Sequence, residues 1–294
     1  MTQTQAITPE PRALNPLPTG TRALLRSGQE AVAYHIPITP PTDDTSQIKT
    51  TISLPRYSAW TSGLHFHATH TEFLRLVKGA IVVELNGTTK SFSALAGGEI
   101  DSSGRVVCEG LVVEVPRYAR HNWGRLEHCL DIEEKSRKKH VRPEDWVEEV
   151  VVEEWTDPSD ISKPLFFWNL NGIIMAPSDM VLSSRKRIAR GILGDWWIDL
   201  QLLVVFFELD NWPILVNFRN LWPSEGTFAG ASWINDCAET VTSFVLLFFA
   251  KALGVALGLR AVDQKRTPAA LWETYRKSSR DVQRKPTTKP VSYS

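Results

Sequence analysis

The chain has 294 residues, enough for one barrel domain with extensions or for two small domains, with a sizeable buried core in either case. Its 33 Lys and Arg offset 33 Asp and Glu, so no global field exists to hold a nucleic-acid backbone or an acidic polymer, and no nucleic-acid partner is expected. Cys108, Cys129 and Cys237 are odd in number and lack a CxxC pair, which excludes a disulfide framework or zinc knuckle and reads as reduced, mostly buried thiols.

Residues 1–29 read as a flexible N-terminal arm, polar and punctuated by Pro9, Pro11, Pro16 and Pro18. No apolar run follows a basic start there, so the expected location is intracellular and cytoplasmic. From residue 30 to 160 short β-prone runs follow one another: Ala31 to Ile36, Gln47 to Leu54, Ser62 to His67, Glu72 to Val77, Ala80 to Leu85, Thr88 to Phe92, Val106 to Cys108, Leu111 to Val115, Cys129 to Glu133 and Val147 to Trp155. Asn86-Gly87 supplies the positive φ that both central residues of a type I′ turn need, which predicts a tight hairpin. Short strands at this spacing describe an antiparallel barrel or sandwich. The charged stretch Glu134 to Asp145 reads as a solvated loop, with a basic patch for phosphate as the alternative.

Beyond residue 160 the chain turns apolar and helical: nine of twelve Phe and seven of eleven Trp lie there, whereas all seven His precede residue 141. Helices are predicted at Asp179 to Gly191, Asp195 to Leu209 and Ile234 to Gly258, and Thr267-Pro268 opens another over Ala269 to Lys277. Residues 161–277 thus form a hydrophobic helical extension, and 278–294 a disordered tail. Val241 to Leu259 has the length of a membrane span with one charge, Lys251. Its eleven Val, Leu and Phe contribute roughly −3 to −7 kcal/mol against about +2.5 to +3.5 for a central Lys, so insertion is marginal. Three readings stand: packing on the barrel or in a homodimer interface, a peripheral membrane contact, or a span. Arg185, Lys186, Arg187 and Arg190 would meet anionic lipid, or equally form a solvated helix face.

The chemistry lies in Gly63-Leu-His-Phe-His-Ala-Thr-His-Thr-Glu-Phe-Leu-Arg-Leu-Val-Lys-Gly79. Residues two apart on a strand share a face, so His65 and His67 point into one interior, and Glu72 joins them if it opens the partner strand. His121, after a strand and the bend at Pro116, offers a fourth ligand. His70 lies in the connecting turn, where it reads as solvent-facing; as an acid/base beside the metal it is the candidate catalytic residue. Three imidazoles and one carboxylate suit one divalent transition metal, with Fe, Mn, Ni, Cu and Zn all open.

These residues resemble the cupin superfamily. Its first motif matches Gly63, His65, His67, Glu72 and Gly79, and its second Gly110, Pro116 and His121, with Tyr118 in place of a glycine and Arg125 in place of an asparagine. The resemblance implies a mainly β fold, an antiparallel cupin (jelly-roll) barrel followed by the C-terminal α-helical extension. Val151 to Pro158, Leu165 to Trp168 and Leu209-Asp-Asn-Trp-Pro213 are similar to fungal secondary-metabolite monocupins. That similarity implies a metal-dependent oxidoreductase tailoring a polyketide-like intermediate. A redox-neutral isomerase, decarboxylase or cyclase, and a non-enzymatic binding barrel, are the alternatives. A small apolar or aromatic substrate would be met by Phe66, Phe73, Trp60 and Trp123, unless these rings are core.

Overall fold

A computed structural model describes residues 8–41, 47–126, 148–176, 184–218 and 231–284. Its strands in chain order are β1 (Thr21–Arg26), β2 (Val32–Pro37), β3 (Thr50–Leu54), β4 (His65–Phe66), β5 (Thr71–Lys78), β6 (Ala80–Leu85), β7 (Thr88–Ser93), β8 (Gly98–Ile100), β9 (Val106–Glu109), β10 (Val112–Val115), β11 (His121–Arg125) and β12 (Val150–Asp157). The helices α1 (Ser162–Ile174), α2 (Ser184–Leu193) and α3 (Trp196–Glu208) follow, then a short strand β13 (Trp212–Pro213), α4 (Ala231–Ala256) and α5 (Ala269–Arg284).

All strand pairs are antiparallel, in two sheets ordered β1-β2-β3-β12-β5-β10 and β13-β4-β11-β6-β7-β8-β9, a jelly-roll-like arrangement with helices after it. The inner faces meet in one apolar cluster, with Ile52, Leu74, Leu76 and Val152 from the first sheet against Ile81, Val83 and Trp123 from the second. Alternation along each strand delivers these residues to the same side. The β6–β7 hairpin turns at Asn86 (φ 51°) and Gly87 (φ 83°), as the Asn-Gly pair predicts. Gly79 at the β5–β6 corner has φ 80°, and a Cβ there would lie 2.8 Å from the Glu149 carbonyl oxygen, so only glycine fits without displacement.

Several elements differ from what the sequence predicts. The expected arm over 1–29 contains β1, which pairs along its length with β2, and the Leu14 amide donates to His35 Nε2 at 2.9 Å. As an edge strand β1 has no fully buried residue, with Arg22 and Leu25 exposed, which makes its sequence look like polar linker. β8, β11 and β13 were also unpredicted; each is short or lacks β-branched residues. Cys108 on β9 and Cys237 on α4 are exposed rather than buried, one on an edge strand and one on a helix face directed to solvent. α5 runs on to Arg284, past the expected start of the tail. The run Cys129 to Glu133, the charged stretch Glu134 to Asp145, residues 179–183 and residues 285–294 lie outside the described residues.

The helices stack outward from the barrel. α1 lays Phe166 and Phe167 against the β-sheet core, with Phe167 5.2 Å from the Tyr34 ring, and Phe206 of α3 packs on Phe166 at 5.9 Å. α4 packs on α3 and is tied to the barrel by Ser243 Oγ, which donates to the Pro213 carbonyl at 2.9 Å, and by Glu239, 2.7 Å from the Arg120 guanidinium. Trp233–Ala256 is long and apolar enough to cross a membrane, and 28% of its most apolar 18-residue window is buried. Its exposed side carries Val241, Phe244, Val245, Phe248 and Phe249, while Lys251 pairs with Glu208 of α3.

Candidate metal centre

The two sheets bring His65, His67, Glu72 and His121 together, all buried, with one ligand atom of each within 4.8 Å of the others. His65 on β4 and His121 on β11 are register partners in one sheet, and Glu72 on β5 faces them from the other. His67 follows β4, and its carbonyl accepts from the Tyr118 amide at 2.7 Å. Tyr118 takes the left-handed φ of 61° at the position where the motif has glycine, so the bend that aims His121 is kept at a conformational cost of about 1–3 kcal/mol. Arg125, at the motif's asparagine, is buried and donates to the Leu54 carbonyl at 3.2 Å.

Hydrogen bonds orient each imidazole the same way. Nδ1–H of His65 donates to the Gly63 carbonyl at 2.8 Å, that of His121 to the Ala119 carbonyl at 3.1 Å, and that of His67 to the Asp210 carbonyl. This fixes the tautomers and leaves three Nε2 lone pairs converging. Glu72 Oε2 lies 2.8 Å from His121 Nε2 and 3.4 Å from His67 Nε2, and His67 Nε2 has no hydrogen-bond partner. Burial lowers the pKa of His65 and His67, keeping them neutral. Burial opposes ionisation of Glu72, but the nearby Lys163 ammonium outweighs it and holds the carboxyl well below its usual range. Acceptors that face one another in this way could hold a cation, and the nitrogen/oxygen mix suits a divalent transition metal.

β12 and the apolar half of the chain supply residues not expected from the sequence. Lys163 on α1 donates to Glu72 Oε1, and its Nζ lies 3.6 Å from Glu154 Oε2. Glu154, whose other oxygen accepts from Trp123 Nε1 at 2.8 Å, is raised above the ordinary carboxylate range by burial. Asp210, directly after α3, caps the turn between His67 and Glu72: its carboxylate accepts from the amides of Ala68, Thr69 and His70 at 2.8, 2.9 and 3.1 Å. Trp212 and Pro213 of β13 pair with Phe66 and His65. The signal in sequence was the similarity of Leu209 to Pro213 to fungal monocupins.

The structure corrects the solvent-facing reading of His70. It is buried, with Nδ1 2.7 Å from Asp210 Oδ2 and Nε2 3.2 Å from Asp160 Oδ2, so both nitrogens are held by carboxylates. Burial works against its charge, but the two carboxylates raise its pKa to about 9.

Beside the cluster lies a cavity of about 200 Å³ that reaches His65 and is walled by both the barrel and the helices, including Tyr34, Trp60, Lys163, Phe166, Phe167 and Phe206. Of the four aromatics expected to meet a substrate, Trp60 lines this cavity. Phe66 and Trp123 are buried in the core, and Phe73 stacks on Trp155 at 5.5 Å.

No family model matches the chain, and no curated protein does. Solved structures similar to it include KdgF from Halomonas sp., 15% identical over 42% of this chain and 77% of that one, with a TM-score of 0.25. A predicted oxalate decarboxylase from Thermotoga maritima is 13% identical over 46% of this chain and 91% of that one, with a TM-score of 0.29. The Cnp3 cupin domain of Schizosaccharomyces pombe is 13% identical over 45% and 66%, with a TM-score of 0.25. At such low scores the fold assignment stands on the strand order of the chain itself.

Proposed function

We propose that this chain is a metal-dependent cupin oxidoreductase acting on a small apolar or aromatic substrate, with His65, His67, Glu72 and His121 as the ligands of one divalent metal. The observation that carries it is the common orientation of the three imidazoles, each with Nδ1–H on a main-chain carbonyl and Nε2 turned toward Glu72. When bound, the metal supplies Lewis acidity and, for Fe, Mn or Cu, redox access to dioxygen. The chain's own residues do the rest. Lys163 holds the Glu72 oxygen that does not face His121, Asp210 holds His67 in line, and the aromatic wall excludes water and orients a flat substrate against His65. The similarity of Val151 to Pro158 and Leu209 to Pro213 to fungal monocupins supports a polyketide-like intermediate as the substrate.

A redox-neutral reaction at the same centre is the second reading, favoured by Lys163: a buried ammonium at the cavity wall stabilises an enolate formed without electron transfer. Turnover of aromatic polyketide-like enols by protein loaded with a single defined metal, measured with and without oxygen, tests the proposal. Oxygen-dependent turnover lost in Glu72→Gln supports the oxidoreductase. Equal turnover without any oxidant supports the second reading, and protein that takes up no metal overturns both. In either case the proposed site of action is the cytoplasm, with the exposed face of α4 available for membrane-surface contact or for pairing of two copies.

A further inference from the structure

The cavity beside the metal centre is built from two materials that rarely meet. Tyr34, Trp60, Phe166, Phe167 and Phe206 give it flat, apolar walls: Tyr34 stands edge-on to Trp60 at 6.2 Å, and Phe166 edge-on to Phe167 at 5.3 Å. Into these walls the helical extension inserts a charge, Lys163, 7% exposed, with its Nζ 5.6 Å from the Phe167 ring centre. A buried ammonium is tolerated only where opposite charge answers it.

The buried charges do not balance once a metal is bound. Lys163 and a divalent ion contribute three positive charges; Glu72 contributes one negative, and Glu154 contributes one or none. With the histidines neutral, the surplus is +1 or +2 whichever state Glu154 adopts. Arg26 at the mouth leaves the count unchanged, because Glu30 lies 3.8 Å from it. A low-dielectric cavity with surplus positive charge concentrates anions.

We propose that the cavity takes a compact aromatic anion, a carboxylate or phenolate whose charge completes that of Lys163 and the metal, so that the helical extension supplies the specificity of a site whose ligands lie in the barrel. The inference rests on the metal-centre reading and narrows its substrate from apolar or aromatic to aromatic and anionic. The flat walls select the ring, and Lys163 selects the charge.

Calorimetric titration of the zinc-loaded protein with benzoate, benzamide and cyclohexanecarboxylate tests it, after zinc content is measured. Benzoate is expected to bind about ten-fold tighter than either of the others. Lys163→Met removes the preference for benzoate over benzamide and Lys163→Arg retains it, while Phe167→Leu narrows the preference over cyclohexanecarboxylate. Zinc held at one per chain, with benzamide binding as tightly as benzoate, overturns this inference alone. Failure to hold zinc overturns the metal reading and this inference with it.

Discussion

Lys163 and Glu72, ninety-one residues apart, form a buried ion pair that divides the carboxylate: Oε1 takes the ammonium, and Oε2 faces His121 at 2.8 Å. One side chain thus joins the first turn of α1 to the histidine face of the barrel. Removing one partner of such a pair leaves an uncompensated charge and costs about 3–5 kcal/mol.

Lys163→Met is therefore expected to destabilise the metal-free protein by about 3–5 kcal/mol. Bound metal supplies the missing cation, so chelator-treated and zinc-loaded Lys163→Met should differ more in unfolding midpoint than the same two forms of the wild type. Denaturant titrations of the four samples check this; equal zinc-induced shifts would refute it.

Asp210→Ala is expected to weaken metal affinity by about 10–100-fold while the ligands themselves remain. The carboxylate that ties down the amides of residues 68–70 is lost, so the carbonyl that accepts from His67 Nδ1–H is no longer held in place. Competition with a chromogenic chelator measures the affinity, and Asp210→Asn should recover part of it, because its amide oxygen still accepts.

Acid should destabilise the fold through His35. Buried between the Leu14 amide, which donates to Nε2, and the Thr51 carbonyl, which accepts from Nδ1–H at 3.2 Å, this ring is neutral in the native state, and burial lowers its pKa below 6.5. The unfolded chain then binds more protons than the native one once the pH drops below about 6.5, so stability is complete above that value and falls beneath it. Unfolding free energy measured from pH 7.5 to 5 should fall less steeply in His35→Gln than in the wild type.

The α4 helix is expected to remain with the protein rather than cross a bilayer. Spanning would separate Lys251 from Glu208 and Arg120 from Glu239, leaving charges unpaired in hydrocarbon. Most of the protein should fractionate as soluble, or as peripheral material released by carbonate. Recovery only in detergent, with protease protection beyond Arg260, would show a span.

What the sequence revealed follows how local each signal is. The alternation placing His65 and His67 on one face, the Asn86-Gly87 turn and the glycine at 79 are each decided within a few residues, and the structure contains the hairpin and the corner as read. His121 to Arg125 reads His-Asn-Trp-Gly-Arg, without alternation or β-branching, and becomes β11 only because β4 and β6 flank it. Lys163 was illegible for another reason: a single lysine at a helix start is ordinarily solvated, and only packing of α1 on the barrel turns it inward. His70 likewise looked like a turn residue because the two carboxylates that enclose it lie 90 and 140 residues further on.

The Asp210 carbonyl that receives His67 Nδ1–H lies 143 residues downstream of it in the chain. During synthesis at about 5–20 residues per second, His67 therefore leaves the ribosome about 7–30 s before the residue that orients it. For that interval His67 can swing and can be protonated at either nitrogen. Metal capture at full affinity is then a late event, timed by emergence of the segment after α3 rather than by closure of the barrel.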